Sequence, residues 1–125
     1  MDKAIDSTFI APSSPVDTAT LTALLNMGGP DLRADLCAQL IADFTRLRDA
    51  MGTDDSAAVA RAAHEVRGLA LTVGAANLAS LATGLDGAAQ RLPRSSLGRQ
   101  VGNLETEIDA VLSVLGAAAQ SPDRQ

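Results

Sequence analysis

Apolar residues recur along this chain at steps of three and four, and no stretch alternates polar with apolar residues over the length of a strand. That period predicts helices throughout. Glycine, proline and short polar clusters divide the pattern at Pro12 to Pro15, Gly28-Gly29-Pro30, Gly52-Thr53-Asp54, Gly74 and Pro93-Arg94-Ser95-Ser96. The breaks leave five helical stretches, at about 16–27, 31–51, 54–73, 76–92 and 96–118. Pro30 suits a first helical turn, and Thr53 or Asp54 suits a helix cap.

Each stretch carries an apolar stripe. The second offers Leu36, Leu40, Ile41, Phe44, Leu47 and Met51, the fourth Leu78, Leu81, Leu85, Ala88 and Leu92, and the fifth Val101, Leu104, Ile108, Val111, Leu112 and Leu115. Antiparallel helices bury such stripes against one another. The expected fold is therefore all-α: an antiparallel four-helix bundle over residues 16–118, with the short first helix added as a lid. Residues 1–15 and 119–125 are expected to be flexible tails.

Composition narrows the picture. The chain has 125 residues, 46% of them hydrophobic, which suits one globular domain with a real core. Its net charge of −5, with nine arginines and Lys3 scattered along it, disfavours binding to a polyphosphate backbone, so no nucleic-acid partner is expected. No apolar run reaches the roughly 18–20 residues of a membrane span, and Met1 to Pro12 lacks the pattern of a secretory signal. A soluble cytoplasmic protein without membrane contact is the simplest expectation. One cysteine and one histidine make a poor metal set. Cys37 shares a stripe with Leu40, Ile41 and Phe44, where cysteine acts as a small hydrophobe.

Candidate chemistry concentrates in the third stretch. Val59, Ala63, Val66, Ala70 and Val73 fall within roughly 40° of one direction, and His64 points about 140° away from it. Gly68 lies one turn beyond His64 on the outward side, inside a helix where glycine costs roughly 1 kcal/mol relative to alanine. Something must approach closely there to justify that cost. Arg61 and Arg67, three residues to either side, bring two guanidinium groups within reach of the imidazole. An exposed imidazole with flanking cations and a cleared approach is suited to carrying a phosphoryl group. Asp54-Asp55 reads as helix-start chemistry, and Glu65 as a solvated side chain.

The run Ala63-His64-Glu65-Val66-Arg67-Gly68, followed by Gly74-Ala75, Leu78, Leu81 and Leu85-Asp86, resembles the histidine-containing phosphotransfer (HPt) domain family. The likeness is tight over about 54–92 and extends in helix count and spacing over about 16–118. It implies a monomeric four-helix bundle that accepts a phosphoryl group on His64 and exchanges it with receiver-domain aspartates or a histidine or hybrid kinase. It implies a carrier with no kinase activity of its own. No cofactor would be bound by this chain, and the magnesium ion would belong to the receiver partner. By the same likeness Arg67, where the family usually has lysine, would stabilise the phosphoryl oxygens with Arg61. Gly68 would admit the receiver, and Asp86 would orient the imidazole.

Two features depart from the family pattern. Leu69 and Ala70 replace the small or hydroxyl residues common after the glycine. Leu71, about 120° from the core direction, either joins Ala57 and Ala60 in an apolar docking patch or merely covers a bundle edge. Two other readings stay open at this stage. His64-Glu65-Val66-Arg67 also resembles the histidine box of sensor kinases, although Gly68-Leu69 stands where threonine and proline usually follow. A phosphate-independent adaptor bundle, with His64 incidental, is the other.

Overall fold

The computed structural model describes residues 14–120. Its regular elements are all helical: α1 (Thr18–Leu25), α2 (Gly29–Ala50), α3 (Ser56–Val73), α4 (Ala76–Ala89), a 3-10 turn (Arg94–Ser96) and α5 (Gly98–Gln120). The expected tails lie outside the described residues apart from Ser14, Pro15, Ala119 and Gln120, and the last two continue α5. Within the described residues no helix is long and apolar enough to cross a membrane.

Local chemistry sets the helix ends. Pro30 occupies the first turn of α2 as expected. The cap of α3 falls on Asp55, beyond the expected Thr53 or Asp54. Its Oδ1 accepts from the Ala57 amide at 3.0 Å, while Thr53 Oγ1 accepts from the Asp55 amide at 3.1 Å. Helix α4 stops at Ala89, three residues before the expected end. Pro93 excludes helical backbone at the residue before it, and 90–92 finish in turn hydrogen bonds to Asp86 and Ala88 carbonyls. Leu92, counted in the apolar stripe, is accordingly 41% exposed, and fully buried Leu97 enters the core from the next connection. The Arg94 guanidinium donates to the Thr53 and Met51 carbonyls at 2.9 and 3.2 Å, stitching the α2–α3 turn to the α4–α5 connection.

The stripes converge as their spacing demands. Phe44 and Leu47 of α2, Val59, Ala63, Val66, Ala70 and Val73 of α3, Leu78 and Leu85 of α4, and Leu104, Ile108, Val111 and Leu115 of α5 form one buried core. Among the described residues no polar or charged residue is buried with them. Cys37 is buried, and that burial pushes its thiol above the ordinary cysteine range, so it stays protonated and packs as a hydrophobe. The long helices touch in a ring, α2 on α3, α3 on α4, α4 on α5 and α5 on α2, with α1 against α2 and α3. The most extensive contact is α3 on α4, between a helix that buries Ala60, Ala63 and Ala70 and one that buries Ala79, Ala82 and Ala89. Alanine walls let two backbones approach closely.

Across the α2–α5 seam Arg48 grips both oxygens of Asp109, at 2.6 and 2.9 Å. The hydrogen bonds hold the Asp109 carboxyl below its ordinary range and push Arg48 further up. A carboxyl lowered by folding stabilises the protein above its unfolded value, and that contribution disappears as pH falls through the folded one. Both partners are substantially exposed, so the effect is small and confined to strongly acidic solution.

Gly74 ends α3 in the left-handed region at φ +80°, and its carbonyl accepts from the Asp17 amide at 2.8 Å. A Cβ there would stand 2.8 Å from Thr20 Cβ, so α1 would have to move. Gly29 has nearly the same dihedral, φ +83°, but a Cβ there meets nothing within 4 Å. Gly74→Ala is therefore expected to lower stability by about 1–3 kcal/mol and to exceed Gly29→Ala, which bears the dihedral cost alone. Urea unfolding of both variants, followed by far-ultraviolet circular dichroism, measures the difference. Equal losses would mean that α1 yields freely.

Candidate functional site

The α3–α4 seam carries the polar cluster that sequence spacing singled out. With Val59, Ala63, Val66, Ala70 and Val73 all buried, α3 turns the opposite face outward, and the His64 side chain is 71% exposed. Its Nδ1 lies 3.4 Å from Oδ2 of Asp86, which projects from the facing stretch of α4 and is 21% exposed. The separation is long for a tight hydrogen bond but aligned for one. The other ring nitrogen, Nε2, is left free of Asp86.

His64 and Asp86 border a shallow groove together with Ala57, Ala60, Arg61 and Gln90. Arg61 is thus beside the histidine on the side facing the start of α3, whereas Arg67 is exposed on the other side and does not line the groove. Among the described residues neither guanidinium is held in an ion pair. A Cβ built on Gly68 meets nothing within 4 Å, so the surface one turn past His64 is open.

The three expected docking residues do not share one environment. Ala57 is exposed and Leu71 is 54% exposed, but Ala60 is only 8% exposed. Ala60 sits one residue from Val59, on the flank that closes onto α4, so it belongs mainly to the core and contributes only an edge to the groove. Leu69 is partly buried against the core and Ala70 fully so, which accounts physically for their apolar character. Glu65 is exposed, as expected, and also meets Arg46 of α2 at 3.1 Å. That pair is more than half exposed at both ends and worth little.

Sequence reasoning passed over Gln90. Its Nε2 donates to Asp86 Oδ1 at 2.9 Å, so the carboxylate is held from one side and faces His64 on the other. The spacing of four residues from Asp86 was the available signal, since i,i+4 side chains meet on a helix. Among the described residues no group of three or more histidine, cysteine or acidic side chains is arranged to hold a metal.

No curated protein and no solved structure matches the chain. The family model of the Hpt domain matches residues 31–114, from the first turn of α2 almost to the end of α5 and including His64 and Asp86. Proteins with this domain work in histidine phosphotransfer within phosphorelays, as phosphocarriers that meet receiver domains and kinases. Matched over well more than half its length, the chain belongs to the Hpt domain family.

Proposed function

We propose that this protein is a phosphorelay carrier that accepts a phosphoryl group on Nε2 of His64 and passes it to or from receiver-domain aspartates. The observation that carries this reading is the pairing of an outward-facing imidazole with Asp86 behind its Nδ1, in a chain whose Hpt match contains both residues. Asp86 favours the tautomer with the proton on Nδ1, leaving the Nε2 lone pair for attack. In the forward step that lone pair attacks phosphorus of an aspartyl phosphate. The N–P bond forms, the P–O bond to the receiver breaks, and the receiver carboxylate leaves. Nδ1 keeps its proton throughout, and positive charge developing on the ring faces Asp86.

Arg61 and Arg67 neutralise the phosphoryl oxygens from opposite sides, and Gly68 leaves room for the receiver loop. Ala57, the edge of Ala60 and Leu71 form the apolar part of the docking surface. The magnesium ion that aids transfer is held by the receiver. Such transfer needs positioning and charge neutralisation above all, so the protein needs no kinase activity of its own. The scaffold we assign is an antiparallel four-helix bundle of α2 to α5 with α1 as a short addition, acting as a cytoplasmic monomer. The ring of helix contacts and the short connections support that arrangement.

The test is phosphotransfer from a panel of phosphorylated receivers and kinases of the source organism. The folded protein is expected to take up an acid-labile, base-stable label from at least one of them. No label across the panel overturns the relay reading and leaves an adaptor bundle.

A further inference from the structure

We infer that Gln90 is a positioning residue for the reaction, holding the Asp86 carboxylate so that only one of its oxygens is presented to His64. The inference rests on the relay reading for its consequence in rate, though not for its geometry.

Three side chains form a line across the α3–α4 seam. The Gln90 amide donates to Asp86 Oδ1 at 2.9 Å, and Asp86 Oδ2 stands 3.4 Å from His64 Nδ1. An aspartate carboxylate on a helix surface turns about its Cβ–Cγ bond over a broad range at little cost. Asp86 is 21% exposed, so water competes for both of its oxygens. Fixing Oδ1 removes that rotation and leaves Oδ2 as the acceptor for the ring. Gln90 is itself well placed to do this without straining the helix. It caps α4 just beyond Ala89, one turn from Asp86, and its own amide N–H still bonds the Asp86 carbonyl at 3.3 Å. The side chain and backbone of one residue thus grip both ends of another.

The neutral amide matters as much as the reach. A glutamate at position 90 would set a second carboxylate against the first, and like charges at i,i+4 repel. An alanine would leave Oδ1 to solvent. In either case Asp86 remains present but loses its fixed direction, and the tautomer preference of His64 weakens with it.

His64 is the chain's one histidine, so nitrogen-15 NMR of labelled imidazole reads this ring alone. In the native protein the proton is expected on Nδ1. Gln90→Ala and Gln90→Glu are expected to shift the ring toward the Nε2–H form and to slow phosphoryl acceptance roughly five-fold, the worth of one hydrogen bond. Asp86→Ala should shift it at least as far, and adding Gln90→Ala to Asp86→Ala should change nothing more, because Gln90 acts only through Asp86. An unchanged tautomer in Gln90→Ala, or losses that add in the double variant, would overturn the assignment. The NMR arm needs no phosphoryl donor, so a tautomer shift without any phosphotransfer would sink the relay reading while leaving the positioning role of Gln90 standing. Far-ultraviolet circular dichroism of each variant separates these outcomes from unfolding.

Discussion

His64→Gln is expected to abolish phosphoryl acceptance completely while leaving the protein as stable as before. The two halves of that expectation rest on different observations. Loss is total because glutamine supplies no ring nitrogen with a free lone pair, and no second histidine exists in the chain to substitute for it. Stability is spared because the side chain is 71% exposed and its one polar contact among the described residues is a 3.4 Å approach to a carboxylate that Gln90 also holds. Surface substitutions of this kind change folding free energy by about 0.5 kcal/mol or less. Label on the folded variant would move the acceptor elsewhere in the chain. Matching urea midpoints for the two proteins are the necessary companion measurement, since an unfolded variant would lose label trivially.

The largest expected effect on stability is at Phe44. It is the one phenylalanine among the described residues and has no exposed surface, in a core otherwise built from aliphatic side chains with Cys37 and Met51. Phe44→Ala removes most of a benzyl group from the α2 face of that core. Losses of about 3–5 kcal/mol accompany such changes, part from lost burial and part from the cavity that remains. Domains of this size have only about 5–15 kcal/mol to lose. Phe44→Leu keeps most of the volume and is expected to cost less than half as much. Because the chain has no tryptophan or tyrosine, unfolding is best followed by circular dichroism. A loss below about 2 kcal/mol for Phe44→Ala would mean that the helices close over the site.

Periodicity made most of this architecture readable. All five helices, the buried stripe of α3 and the outward direction of His64 follow from steps of three and four residues, because burial of one helix face is the strongest constraint on an amphipathic sequence. What spacing did not reveal depends on where helices stop and how two of them meet. The end of α4 at Ala89 turns on Pro93 acting three residues back, and it moves Leu92 out to solvent. The burial of Ala60 depends on how closely α4 approaches, which no single-helix projection contains. Glu65 found Arg46, nineteen residues away on another helix, and that pairing has no local signal. Asp86 was placed beside His64 by family likeness, and the 3.4 Å geometry agrees. Gln90 lay within reach of the same reasoning, since an amide one turn from a carboxylate is a local pattern, but its neighbour had first to be recognised as important.

The circumference of α3 divides sharply between residues that fix geometry and residues that a visiting protein would meet. Alanines on the α4 side hold the two backbones at a set distance, and with it the separation of His64 from Asp86. Glu65 and Leu71 are exposed on the outer face of α3. Substitutions at those two positions can change charge and shape near the histidine while leaving both flanking guanidinium groups in place. Such a scaffold can therefore change the partner it fits one exposed residue at a time, with the imidazole and its flanking guanidinium groups untouched.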